Sequence, residues 1–279
     1  MAVDILKPIP CLDKARELKL EYRGHPIDSD HPLFSEPLVP ISEYGVDGVS
    51  YYSQPNNATV DPVEGVTPNI FVRRSVAKKL RAANDFIVAH KGLAALFDGR
   101  IELYVRDGFR SPILQAHLHD TVIPRLVRTQ NPDWTDEQIA TRVSQVIAYP
   151  QWSQDTMPPH FTGGAVDLSL RSTDTGELID TAHGKAQVGK EAIRTDFLEE
   201  VLRGGLAIEG LERALNARRV LHNVMTSEEV GGVSMENNPT ETWHYSLYDQ
   251  MWGILGGHEA AYYGVPPEIP EELQLTEIK

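Results

Sequence analysis

Two of the ten histidines stand near carboxylates at spacings that can do chemistry. In MPPHFTGGAVDLSL, His160 lies seven positions ahead of Asp167, across Gly163-Gly164. Glycine reaches backbone conformations closed to other residues, so this turn can fold back and bring ring and carboxylate together. In NNPTETWHYSLY, His244 follows Glu241 by three positions. Residues i and i+3 of a regular strand face opposite ways. Glu241 comes straight after Asn237-Asn238-Pro239, however, and can stand ahead of the strand, where both side chains can be aimed into one site. Two histidines and a carboxylate, with a fourth position open to water, form a ligand set that zinc uses in hydrolysis. A glutamate beside such an ion but off it is suited to carry protons. The same residues also fit a turn-capping His160 and a surface Glu241–His244 pair.

The other candidates are weaker. On a helix His117 and His119 would point about 200° apart and could not share an ion. His25, His31, His90, His183, His222 and His258 lack an acidic or histidine partner at a ligand-like local spacing. The single cysteine, Cys11, excludes an intramolecular disulfide and a cysteine-rich zinc site. It sits in a Pro-flanked stretch with nothing basic organised around it, so a nucleophilic role is not expected. The chain contains no G-x-S-x-G elbow, P-loop, G-x-G-x-x-G or H-E-x-x-H. A formal net charge of −14 argues against a nucleic-acid partner. No apolar run of about 18 residues suggests a membrane span, and no leader is visible, so a cytoplasmic location is expected.

The elements that must position these residues follow from pattern. Residues 1–65 read as an arm of irregular structure and short strands, packed on a single domain over 66–279. Val72, Val76, Leu80, Ala83 and Ile87 predict an amphipathic helix reaching His90. IELYVRD alternates as a half-buried strand ending at Asp107-Gly108. A helix should follow Pro112, with Pro124 ending or kinking it. Thr135 and Gln138 form a capping-box signature for a helix running through Ile147. Further helices fit Lys190 to Arg203, stopped by Gly204-Gly205, and Leu211 to about Thr226. Helices and strands mix without strict βαβ alternation, which predicts an α+β fold: a small antiparallel sheet carrying the metal site, flanked by helices.

Four segments resemble a known family in the family's own order. HFTGGAVDLSL resembles the His-x6-Asp zinc segment of the zinc D-alanyl-D-alanine dipeptidases (the VanX type), relatives of the zinc D-Ala-D-Ala carboxypeptidases. ETWHYSLYDQMWGIL resembles their Glu-x-Trp-His segment, VRDGFRSP their arginine motif, and NARRVLHNVMT the helix between the zinc segments. The resemblance spans roughly residues 70 to 257 and implies one zinc on His160, Asp167 and His244. It implies that Glu241 is the base for the attacking water, that Arg110 stabilises the oxyanion, and that the substrate is a small peptide, with D-alanyl-D-alanine leading.

Three positions depart from the family pattern. Pro158 stands where a serine commonly precedes the first zinc histidine. Ser111 is inserted between Arg110 and Pro112. Lys185-Ala186 occupies the aligned place of a Phe-Asp pair whose aspartate helps bind the substrate ammonium. Asp180 is the candidate to replace it. These departures keep a related zinc carboxypeptidase or dipeptidase of other specificity in view. A non-haem Fe(II) oxygenase uses a similar ligand set, but its first two ligands usually sit one residue apart. A non-catalytic metal-binding protein would have no need of Glu241 and Arg110. Oligomeric state is not legible.

Overall fold

In a computed structural model the described residues are 3–55, 61–147, 149, 157–181, 190–205 and 210–274. The strands are β1 (Leu38–Pro40), β2 (Asp47–Gly48), β3 (Phe71–Arg73), β4 (Ile101–Asp107), β5 (Ala165–Ser172), β6 (Glu236–Asn237) and β7 (His244–Ser246). The α-helices are α1 (Asp13–Lys19), α2 (Arg74–Ala89), α3 (Leu93–Leu96), α4 (Pro112–His117), α5 (Ile123–Gln130), α6 (Asp136–Val146), α7 (Phe197–Arg203), α8 (Leu211–Met225) and α9 (Gln250–Gly256). The fold is α+β, as expected.

The central sheet has five strands in the order β2-β4-β5-β7-β6. It is antiparallel except at one edge, where the two residues of β2 run parallel to β4. Strand residues alternate between faces. Leu103 and Val105 of β4, Val166, Leu168 and Leu170 of β5, and Tyr245 of β7 therefore enter the main core together. Val76, Leu80, Ala83 and Ile87 of α2 and Val220, Leu221 and Val224 of α8 cover that face. The opposite face is left for polar chemistry. A second apolar cluster, including Leu114, Leu118, Val127, Ile139 and Val143, joins α4, α5 and α6.

Several elements differ from the sequence pattern for identifiable reasons. The helix expected from Val72 begins at Arg74, because Val72 pairs with Val39 in the two-stranded β1–β3 ladder. Pro124 does not end the helical run, which continues through it. A five-residue π-turn, Leu118–Val122, shifts the register so that Pro124 falls in the first turn of α5, where its missing N–H breaks no helical bond. The capping box forms as read, with Gln138 N on Thr135 Oγ1 at 3.3 Å and Thr135 N on Gln138 Oε1 at 2.8 Å.

The helix expected over Lys190–Arg203 is instead a 3-10 turn, Lys190–Ile193, followed by α7. Arg218 of α8, 1% exposed, takes the carbonyls of Ala192 and Arg194 as well as that of Thr181. Those carbonyls are therefore committed to a side chain rather than to a continuous helical ladder. The first 20 residues also hold α1, which the composition of that stretch does not predict. It is tied down by Arg16 on buried Asp196, at 2.8 Å. No described helix is long and apolar enough to cross a membrane.

Candidate metal centre

The site lies on the polar face of the sheet, in one row. Asp107 of β4 is in register with Asp167 of β5, and Asp167 with His244 of β7. Simple alternation would send Asp107 to the core face with Leu103 and Val105. A bulge prevents this: Val105 pairs with Leu168 and Asp107 with Asp167, so Arg106 is the extra residue. One inserted residue turns Asp107 over to the side of Asp167.

His160 arrives from outside the ladder, on the 3-10 turn Pro159–Thr162 that immediately precedes β5. Gly163 ends that turn at φ +73°, a left-handed conformation that suits glycine. A Cβ there would also come within 2.4 Å of Leu38 Cδ2. The chain therefore reverses tightly enough to set His160 over Asp167.

Three ligand atoms converge. His160 Nε2 lies 3.2 Å from His244 Nδ1 and 3.5 Å from Asp167 Oδ1, and the last two are 3.3 Å apart. The rings meet edge to face, 4.8 Å between centroids. An ion bound tetrahedrally at 2.0–2.1 Å separates its ligand atoms by about 3.3–3.4 Å, so the observed triangle is the right size. Asp167 Oδ1 is buried and makes no hydrogen bond of acceptable geometry. A buried carboxylate oxygen without a donor is costly, and a cation at the centre of the triangle would satisfy it. The donor set and its spacing fit a zinc-type ion.

The histidines are oriented for this. Nδ1 of His160 faces the Gly108 carbonyl at 2.8 Å. A carbonyl only accepts, so Nδ1 carries the proton and Nε2 presents its lone pair to the triangle. On His244 the assignment reverses: Nε2 contacts Ser246 Oγ at 3.4 Å, leaving Nδ1 inward.

Glu241 stands just ahead of β7, outside the regular strand as its sequence position suggested, with Oε2 3.8 Å from His244 Nδ1. It is adjacent to the three-atom cluster without being part of it. Arg110 is 7% exposed; Nε and Nη2 donate to Asp107 Oδ2 at 3.1 and 2.5 Å, and Nη1 to Gln115 Oε1 at 2.8 Å. These bonds use three of the five N–H groups of a guanidinium. Its backbone N–H also bonds the His160 carbonyl at 3.2 Å, coupling the arginine loop to the histidine turn.

Asp107 and Gln115 are site residues that the sequence reading did not single out. For Asp107 the signal was present in the Asp-Gly end of the β4 segment, three positions ahead of Arg110. Asp180 is exposed, and its charge acts on Arg218. It is outside the group formed by His160, Asp167 and His244. Lys185 and Ala186 lie outside the described residues. Pro158 sits at the mouth of the histidine turn and is buried. His119 pairs locally with Asp120 at 2.7 Å rather than with His117.

No protein-family model matches the chain. The chain is 26% identical over 241 residues to a protein of Synechocystis sp. named D-alanyl-D-alanine dipeptidase, a match covering 82% of this chain and 91% of that protein.

Proposed function

We propose that this chain, a distant relative of the D-alanyl-D-alanine dipeptidases, hydrolyses a small peptide with the help of one zinc ion, D-alanyl-D-alanine being the leading substrate. The observation that carries the zinc reading is the triangle of His160 Nε2, Asp167 Oδ1 and His244 Nδ1, with mutual separations of 3.2 to 3.5 Å. The name of the relative supports the dipeptidase reading. Zinc held there would supply a Lewis-acid charge that polarises a peptide carbonyl and brings the pKa of water to about 7.

The side chains supply the rest. Glu241, beside the triangle rather than on it, accepts the proton of the attacking water and returns it to the departing amine. Arg110 keeps its positive charge throughout, since burial, which alone would lower it, is offset by the carboxylates of Asp107 and Asp167. The two N–H groups not given to Asp107 or Gln115 are its means of stabilising the oxyanion. Asp107 and Gln115 hold the guanidinium plane, so that little reorganisation is needed as charge develops. We propose Asp180 as a candidate partner for the substrate ammonium.

The test is metal analysis of the purified protein followed by a dipeptide panel of both chiralities. The expected result is about one zinc per chain and cleavage of D-Ala-D-Ala, with metal lost in His160→Ala, Asp167→Ala and His244→Ala. Full zinc retention in His244→Ala would remove the metal assignment. Comparing D-Ala-D-Ala with its N-acetylated form then decides between dipeptidase and carboxypeptidase-like action: a dipeptidase should prefer the free amine about a hundredfold or more, because burying an unpaired charge costs several kcal/mol.

A further inference from the structure

We propose that Lys19, at the end of α1 in the N-terminal arm, is a positioning residue for Glu241, acting through the side chains of Thr240 and Asn238. The inference rests on the proposed role of Glu241 as proton carrier and deepens it: the arm becomes part of the active site.

The connection is a chain of side-chain hydrogen bonds whose directions are forced from one end. Lys19 Nζ bonds Thr240 Oγ1. An ammonium only donates, so the hydroxyl must accept, and its one proton is left to point elsewhere. It points to Asn238 Oδ1, 3.0 Å away. The backbone N–H of Thr240 reaches the same oxygen at 3.1 Å. Two donors on one side of the amide fix which end is oxygen, and the NH2 end is thereby turned to Glu241. Asn238 Nδ2 donates to Glu241 Oε2 at 2.7 Å. That is the oxygen lying 3.8 Å from His244 Nδ1.

The middle of the chain is rigid. Asn238 is 2% exposed, and its backbone N–H bonds the His244 carbonyl at 2.9 Å. Its own carbonyl accepts from Glu241 N at 3.1 Å and from Thr195 Oγ1 at 2.9 Å. An amide so placed can hold a carboxylate in one rotamer, which a flexible glutamate ahead of a strand would not keep unaided. The far end is electrostatically linked as well: burial depresses the Lys19 ammonium, and the charge of Glu241 opposes that shift. If Lys19 were lost, the Thr240 hydroxyl could rotate its proton away, and Asn238 would keep only the Thr240 N–H of the two donors that hold its amide facing Glu241.

The experiment uses the full chain with Lys19→Met, Lys19→Arg, Thr240→Val and Glu241→Gln, assayed on D-Ala-D-Ala with zinc content measured in parallel. Lys19→Met and Thr240→Val should each lower kcat about tenfold with KM and zinc unchanged, and Lys19→Arg should restore most of kcat. Thr240→Val placed in Glu241→Gln should cost nothing further, because the two act as one unit. A second readout needs no catalysis: in the metal-free protein the Asn238 side-chain NH2 resonances, assigned by their loss in Asn238→Asp, should move in Lys19→Met.

Unchanged kcat in Thr240→Val, a raised KM at constant kcat in Lys19→Met, or unmoved Asn238 resonances would each overturn the proposal. The KM outcome would make Lys19 a substrate contact instead. Full activity in Glu241→Gln, or a wild type inactive on every dipeptide, would sink the functional reading and leave the amide measurement to judge the relay by itself.

Discussion

Burial alone would raise the Asp167 carboxyl, yet His160 and His244 hold it well below the usual carboxylate range. The anion is therefore present at neutral pH before any metal arrives. His160 behaves oppositely: burial and Arg110 push it down, Asp167 and Asp107 push it up, and the net shift is upward from 6.5. A proton on His160 Nε2 competes directly with a cation. Because the competing proton binds at higher pH than on an ordinary histidine, the apparent zinc affinity of the metal-free protein should begin to fall while the pH is still above 6.5. Competition titrations between pH 5.5 and 8.5 measure this, and an affinity flat down to pH 6 would contradict it. Glu241 is a separate matter. If it carries protons and does not ligate, Glu241→Gln keeps the zinc and loses roughly two to four orders of magnitude in kcat. Metal loss in that variant would make Glu241 a ligand.

At the scale of elements, the site depends on how β4 ends. The bulge at Arg106 aims Asp107 at the arginine, and the next residue, Gly108, offers the carbonyl that fixes the His160 tautomer. Gly108 is there because the backbone of β3 passes close by. A Cβ at this position would come within 2.6 Å of the Phe71 carbonyl and 2.7 Å of Ile70 Cγ2. Backbone cannot retreat as a side chain can, so Gly108→Ala must shift the strand end and with it the acceptor for His160. Disturbing an outer partner of a metal ligand typically costs 10–100-fold in metal affinity or activity. We expect Gly108→Ala to fall about in that range in zinc affinity while remaining folded, as read by isothermal titration and circular dichroism. Wild-type affinity would show that the Gly108 carbonyl is not needed to orient His160.

Across the whole molecule, Arg73 joins segments distant in sequence. It is fully buried and donates to Thr162 O at 2.7 Å, Gly264 O at 2.8 Å, Phe34 O at 3.4 Å and Glu36 O. Its guanidinium also lies 4.9 Å from the centre of the Tyr263 ring. One cation thus ties the arm, the histidine turn and the C-terminal segment together. Each buried carbonyl left without a donor costs about 1–3 kcal/mol. Arg73→Met should therefore destabilise the fold by roughly 3 kcal/mol or more, seen as an earlier urea midpoint. It should also weaken zinc binding, because Thr162 O belongs to the turn that carries His160. An unchanged midpoint would mean that these carbonyls find other donors.

Residue type and local spacing were enough to single out His160, Asp167, Glu241 and His244 as candidates, because imidazoles and carboxylates close in sequence stand out by their chemistry and the turn between the first two is one only glycine makes easily. They were enough too for β4, the core of α2, the capping box of α6 and all of α8, whose signals lie within a few residues of one another. Contacts between distant segments decided the rest. Val72 became strand because Val39, 33 positions earlier in the chain, was there to pair with it. The helix after Lys190 broke because Arg218 claimed its carbonyls. Asp107 joined the site through a bulge that alternation alone does not reveal, and Lys19 reached Thr240 across 221 positions. Local pattern records what a segment prefers. Which backbone groups and charges are left to be satisfied, and by what, is settled only when the chain has packed.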